Sequence, residues 1–197
     1  MTQPALTTRY HVFGTAAGHA AIGWNDRGIS SFRLPARTAR EASWALLRRS
    51  PDATIVDPPA PVRAIVDAAC RYFAGERVDF GDVPIDLGEQ EPFFARVYDR
   101  VRKLGWGETT TYGAIAKELG AGPEFARDVG QAMASNPIPL IVPCHRVTAA
   151  GGKIGGFSAP GGSFSKARML ELEGVSITVD AGKKPEAKKP EQPGFDF

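Results

Sequence analysis

The sequence predicts an α/β chain in two parts. A small antiparallel sheet with one or two helices comes first, and a helical, winged-helix-like piece follows. Three observations predict this. Near the N-terminus, β-prone stretches at 10–14, 19–24 and 29–34 alternate with Gly-rich and Asn25-Asp26-Arg27-Gly28 turns. Past residue 91 the apolar residues change to helical spacing, with Phe94, Val97, Val101 and Leu104 on one stripe. Two short helical stretches then flank Gly120-Ala121-Gly122, the sequence form of a helix-turn-helix.

The elements follow in order. After the third strand, a helix over 38–49 places Ala42, Ala45 and Leu46 on one face and stops at Pro51. Pro58-Pro59-Ala60-Pro61 reads as a loop. A second helix carries Val62, Ile65, Val66, Ala69 and Phe73 and ends near Gly75, and 83–87 is one more candidate strand. Gly88-Glu89-Gln90-Glu91-Pro92 marks a boundary, giving domains at 1–90 and 91–176. The lysine- and proline-rich remainder, 177–197, has almost nothing to bury and reads as a disordered tail. In the second part, Gly105-Trp106-Gly107-Glu108 breaks the first helix. A short helix spans 111–119 with Tyr112 in its first turn, and Pro123 suits the first position of the next. That helix buries Phe125, Val129 and Ala132 or Met133 and runs to about 135, where Asn136-Pro137 ends it.

Composition excludes several classes. With 43% hydrophobic and 23% charged residues, the chain has an ordinary globular profile. Net charge is +2, and residues 91–175 hold 10 basic against 8 acidic side chains. Bulk charge therefore makes no case for a polyanion partner, which must be argued from local groups. Two cysteines, Cys70 and Cys144, exclude a disulfide framework, and the three histidines show no ligand spacing, so no metal site is expected. No signal peptide is readable, and the longest apolar run, 138–142, is far too short to span a bilayer. A cytoplasmic chain without a membrane partner is expected.

The chemistry concentrates in Asn136-Pro137-Ile138-Pro139-Leu140-Ile141-Val142-Pro143-Cys144-His145-Arg146-Val147, read as a short apolar strand between prolines that leads into cysteine, histidine and arginine. A thiol attacks only as thiolate, so it needs a base or a positive charge nearby, and His145 and Arg146 offer both. Neighbouring side chains on a strand point apart, so the chain must turn here or a water must bridge the pair. Taken alone, a cysteine next to a histidine is more often a small buried residue than a nucleophile.

This segment resembles the Pro-Cys-His-Arg-Val signature of the O6-alkylguanine-DNA alkyltransferases (methylated-DNA–protein-cysteine methyltransferases). Gly107-Glu108-Thr109-Thr110-Thr111-Tyr112-Gly113 is similar to that family's entry into its helix-turn-helix. Ala126-Arg127-Asp128-Val129-Gly130-Gln131-Ala132-Met133 is similar to its recognition helix. The blocks cover roughly 92–174. Over 1–90 the likeness is one of arrangement only, to an RNase H-like α/β domain.

The resemblance implies a DNA-repair protein that flips O6-alkylguanine, mainly O6-methylguanine, from duplex DNA and keeps the alkyl group irreversibly on Cys144, in one turnover and without a cofactor. It implies His145 as the base, Glu173 as the carboxylate that orients it, Tyr112 as donor to the flipped guanine and Asn136 as a brace for the cysteine strand. Arg127 would fill the gap left in the duplex. Ala126 and Gly130 of the recognition helix, with Phe157 and Ser158 after the cysteine, would also meet DNA. Arg146 is left between stabilising the packing and stabilising the thiolate. The implied partner is double-stranded DNA containing O6-alkylguanine, with no obligate protein partner. Two departures bear on substrate breadth: Phe157 stands where many members have tyrosine, and Ala159-Pro160 lengthens the loop. The zinc ligands of some relatives are absent, and Cys70 is expected in the core. Two other readings are a non-catalytic lesion sensor, in which the acceptor cysteine is replaced, and an unrelated Cys-His hydrolase, for which no oxyanion motif is readable.

Overall fold

The computed structural model describes residues 7–158 and 161–177. The expected tail and Ala159-Pro160 lie outside these residues. β1 (Arg9–Thr15), β2 (Gly18–Asn25) and β3 (Gly28–Ala36) form an antiparallel meander. β4 (Thr54–Ile55) joins β1 in parallel, so the order is β3-β2-β1-β4. Period-two alternation distributes the side chains between two faces. Ala20, Ile22 and Trp24 of β2 pack with α2 (Ala60–Phe73), whereas Ala21 packs with Ala42 and Leu46 of α1 (Ala39–Leu47). The Thr38 hydroxyl caps α1 by accepting from Glu41 N.

The second part contains α3 (Pro92–Arg102), α4 (Tyr112–Glu118), α5 (Ala126–Ser135) and α6 (Ser163–Leu172). Its two short strands, β5 (Thr110–Thr111) and β6 (Val147–Thr148), pair in parallel. Val97, Val101, Ile115, Val129, Ala132 and Val147 form its core. This core does not close on its own at the cysteine segment. Ile138, Leu140, Ile141 and Met169 bury themselves among the N-terminal residues Phe13, Phe32 and Phe73, and Phe32 N donates to Pro137 O at 3.0 Å. Among the described residues no helix is long and apolar enough to cross a membrane.

Several local expectations change. Residues 138–142 form a tight turn and not a strand, because Pro139 within the segment and Pro137 and Pro143 beside it have no N–H donors and Val142 N closes back onto Ile138 O at 2.9 Å. Leu140 sits in the left-handed region at φ 80, held there by its buried side chain. The candidate strand at 83–87 is reduced to a single bridge, Ile85 to Ile29, since Pro84 can accept but not donate. The proline loop is shorter than expected. α2 begins at Ala60, because Pro61 is compatible with a first turn whose N–H groups have no partner. Pro123 opens a 3-10 turn, Pro123–Phe125, and only then α5. Phe125 is exposed, with its ring tilted against Phe93 at 5.5 Å, and does not enter the core. Leu104 is buried but lies beyond the end of α3. Cys70 packs only partly against the core, with its thiol on Gly14 O at 3.4 Å.

A core shared in this way makes the cysteine turn depend on the N-terminal sheet. Truncating Ile141 to Ala is expected to destabilise the protein by about 3 kcal/mol. In urea unfolding, the fluorescence of Trp24 and of Trp106 is expected to change in one common transition.

Candidate active site

Cys144, His145 and Arg146 lie on one 3-10 turn, Cys144–Arg146, directly after the proline segment. Of the two expected arrangements, a turn or a bridging water, the chain does turn here. A 3-10 turn spreads successive side chains about 120° apart, so the thiol, the imidazole and the guanidinium leave in different directions. All three are buried. Asn136 braces the turn from within: its Oδ1 accepts from Ile138 N at 3.0 Å and its Nδ2 donates to Val142 O at 2.8 Å.

Glu173, immediately after α6, gathers the polar groups. A carboxylate at a helix C-terminus opposes the helix dipole, so it needs strong donors, and five reach it. Arg146 Nε meets Oε2 at 2.8 Å and Nη2 meets Oε1 at 3.0 Å, a two-point guanidinium–carboxylate pair. His145 Nε2 lies 2.7 Å from Oε1. The Tyr72 hydroxyl donates to Oε1 at 2.8 Å and Gly107 N donates to Oε2 at 3.1 Å. Gly107 has φ +73, and a Cβ there would stand 3.1 Å from Glu173 O, so glycine serves both the turn and the close approach. Burial alone would raise the Glu173 carboxyl. The hydrogen bonds from His145 and Arg146 outweigh it and hold the group below the usual carboxylate range.

An ionised carboxylate can only accept, so the proton on His145 lies on Nε2. Nδ1 therefore carries the lone pair. It is buried and, among the described residues, makes no hydrogen bond. Burial pushes His145 down, against the pull of Glu173, and the Arg146 charge pushes the same way, so the ring rests neutral. Burial likewise pushes the Cys144 thiol up, while a hydrogen bond from Asn136 and the charge of Lys166 draw it back in part. A resting thiol beside a neutral imidazole is a poised pair and not a preformed ion pair.

Lys166 is the unexpected member. It is 1% exposed, and its Nζ donates to Val147 O at 2.5 Å, Tyr112 Oη at 3.2 Å and Gly156 O at 3.5 Å. Burial lowers it to about 8. Tyr112, in the first turn of α4, directs its own hydroxyl to Gly156 O at 3.4 Å. Gly155, at φ +74, lets the loop approach, since a Cβ there would come within 3.1 Å of the tyrosine ring.

A cavity of about 410 Å³ opens on Cys144, within the range of small-molecule pockets. Tyr112, Arg127, Gly130, Phe157 and Ser158 all line it. Arg127 is exposed at the start of α5 and, among the described residues, makes no hydrogen bond or ion pair. Ser158 Oγ ties the loop to Ala134 O at 3.0 Å. Of the residues expected in the site, Ala126 and Asn136 neither line this cavity nor join the Glu173 network, and Asn136 acts through the turn. Tyr72 and Lys166 were not legible as site residues. No local spacing signal marks either residue; their partners lie far away in sequence, Glu173 for Tyr72 and Tyr112 for Lys166. Among the described residues no group of three His, Cys, Asp or Glu could hold a metal ion.

Residues 92–175 match the family model described as 6-O-methylguanine DNA methyltransferase, DNA binding domain. A Mycobacterium tuberculosis protein named methylated-DNA–protein-cysteine methyltransferase is 40% identical over 166 residues, covering 84% of this chain and 88% of that protein. A Thermus thermophilus protein named DNA base-flipping protein is 42% identical over 131 residues, covering 66% of this chain and 83% of its own. The crystal structure of Mycobacterium tuberculosis OGT in complex with DNA superposes with a TM-score of 0.68 at 36% identity, covering 84% of this chain and 92% of that one.

Lys166 yields a stability test. Its folded value of about 8 lies below its ordinary 10.5, so above pH 8 the native state releases a proton that the unfolded chain still holds. Stability contributed at this site therefore rises with pH between about 8 and 10.5, by at most about 3 kcal/mol. The difference in unfolding free energy between wild type and Lys166→Met is expected to move in favour of wild type across that window and to stay flat below pH 7.

Proposed function

The chain belongs to the O6-methylguanine-DNA methyltransferase family, and on that premise we propose the following division of labour. The protein is a methylated-DNA–protein-cysteine methyltransferase that repairs double-stranded DNA by taking the alkyl group of O6-alkylguanine onto Cys144, once per molecule. The observation that carries this reading is the buried Cys144 thiol at the base of an open cavity, next to a neutral His145 whose Nδ1 is unpartnered.

The step needs no cofactor. His145 Nδ1 takes the thiol proton, through a water where the turn separates the two groups. The imidazolium so formed is stabilised by Glu173, while Arg146 tempers that carboxylate enough to keep the ring neutral beforehand. The sulfur–carbon bond forms as the carbon–O6 bond breaks, and the electron pair leaves on guanine. Tyr112 donates to the guanine ring as its charge grows, and Lys166 polarises the tyrosine and can return its proton. Reaching O6 requires the nucleotide outside the stack, at a cost of a few kcal/mol. Arg127, exposed at the cavity mouth, fills the place it vacates, and Gly130 lets α5 approach the backbone. Phe157 offers a face for the flipped base, and Ser158 and Ala126 meet the strand. Asn136 acts on the turn and not on the substrate.

Residues 91–176 form the DNA-binding and transferase unit in this reading, with a winged-helix-like architecture supported by α4, α5 and the β5–β6 pair. Residues 1–90 form an RNase H-like unit, supported by the mixed sheet flanked by helices, and the chain works in the cytoplasm. A non-catalytic lesion sensor fits less well, because in such a sensor the acceptor cysteine is replaced and here Cys144 is present.

The test is intact-protein mass after incubation with a duplex containing O6-methylguanine. Wild type is expected to gain one methylene unit on the Cys144 peptide, stoichiometrically, and Cys144→Ser to gain nothing. Tight lesion binding without a mass change would support the sensor. Arg127→Ala is expected to slow transfer from duplex about 10- to 100-fold, and to slow transfer from free O6-benzylguanine much less, since that base needs no flipping. The transfer rate is expected to fall off above pH 8 as Lys166 loses its proton.

A further inference from the structure

The two oxygens of Glu173 hold their donors unevenly. Oε2 accepts from Arg146 Nε and Gly107 N, whereas Oε1 accepts from Arg146 Nη2, His145 Nε2 and the Tyr72 hydroxyl. The additional donor therefore falls on the oxygen that the histidine itself uses. It comes from the N-terminal part, 101 residues away in sequence. The Tyr72 ring is fully buried and fixed by aromatic neighbours on several sides: Phe73 at 5.1 Å, Trp106 at 5.5 Å, Phe80 at 6.2 Å and the His145 ring at 6.2 Å. Its hydroxyl thus has no second place to point. Burial and the Glu173 charge push that hydroxyl well above the usual tyrosine range, so it keeps its proton and remains a donor.

Resting on the alkyl-transfer reading, we propose that Tyr72 is a positioning residue of the proton relay. Its hydroxyl draws charge from Oε1, weakens the pull of Glu173 on the histidine and so keeps His145 neutral until the thiol proton arrives. The hydroxyl has one hydrogen and Glu173 takes it, so Tyr72 cannot donate to the ring nitrogen 3.2 Å away. Its oxygen can accept from Nε2–H, but the neutral ring in this tautomer and the charged ring both carry that hydrogen, so this contact does not choose between them. The donation to Oε1 does choose, because a carboxylate that shares its charge among more donors stabilises an imidazolium less. The other charged or titratable groups that face His145 are Arg146 and Cys144 on its own turn, Lys166 from α6 and Glu173 just beyond that helix. Arg146 and Lys166 push the ring down and Glu173 pulls it up. Tyr72 differs from all of these in that its hydroxyl can be removed without changing a charge or emptying the space its ring fills.

The test is a ¹⁵N titration of His145 in wild type and Tyr72→Phe, beside the pH dependence of single-turnover transfer from a duplex carrying O6-methylguanine. Loss of the hydroxyl is expected to raise the pH at which His145 takes its second proton by roughly 0.5 to 1 pH unit. The acid limb of the transfer rate is expected to move with it, so that on this limb the variant is about three- to tenfold slower than wild type, against less than about twofold on the plateau. Phe80→Leu loosens the packing against the ring and leaves the hydroxyl in place. It is expected to lower stability without moving the midpoint. A His145 midpoint that is the same in Tyr72→Phe and wild type overturns the assignment. So does a rate lowered equally at every pH, or a Phe80→Leu midpoint that moves as far as that of Tyr72→Phe, since both are marks of lost packing. Failure of wild type to take up methyl removes the alkyl-transfer reading, and the titration then still decides whether Tyr72 tempers the carboxylate.

Discussion

The structure around the cysteine depends on one buried carboxylate. Glu173 ends α6, receives Arg146 and His145 from the cysteine turn, Gly107 N from the loop after α3, and Tyr72 from α2 of the N-terminal part. A single negative charge therefore ties together four segments that are far apart in sequence. An ionised carboxylate with no water costs too much to bury unpaired, so each of those segments is held where its donor must be. The same demand fixes the histidine tautomer, because a group that only accepts compels Nε2 to carry the proton. Order in the fold and readiness for proton transfer have one cause.

The second requirement is a sharp presentation of the thiol. Three prolines and the left-handed Leu140 prevent residues 138–142 from joining a sheet, and the turn they make is stabilised by burying Leu140 and Ile141 in the N-terminal core. Backbone strain before a nucleophile persists only where surrounding contacts over-determine it. Here Asn136 inside the turn and the aromatic residues of the sheet and α2 do so. The N-terminal part consequently contributes to the site twice, through apolar burial beneath the turn and through the Tyr72 hydroxyl. Its third contribution is Arg33, whose Nη1 donates to Pro137 O at 3.0 Å at the start of the turn.

Much of this was legible in the sequence. The three strands and helices α1 to α5 follow from alternation, helical spacing and punctuation by glycine and proline, and those signals are local, whereas α6 is not read from the sequence. The structure gathers Cys144, Tyr112, Arg127, Gly130, Phe157 and Ser158 around one cavity and joins His145 to Glu173, with Asn136 inside the turn. The misses have physical reasons. Ile138 to Val142 is apolar enough for a strand, but proline content decides its hydrogen bonding. Phe125 has helical spacing, yet the 3-10 turn rotates it outward onto Phe93. Tyr72 matches the apolar face of α2, and only its partner 101 residues away reveals the role of its hydroxyl. Lys166 was hidden by the usual rule that lysine faces solvent. A buried ammonium with three oxygen acceptors is a property of the assembled fold.

The central claim is that this network keeps His145 neutral, with the proton on Nε2 and the lone pair on Nδ1. ¹⁵N chemical shifts of the three histidines, assigned by substituting His11 and His19, test it directly. The account predicts that His145 shows a protonated Nε2 and an unprotonated Nδ1 throughout the neutral range, and gives up that pattern in Glu173→Gln. A doubly protonated ring at pH 7, or a proton resting on Nδ1, would contradict it.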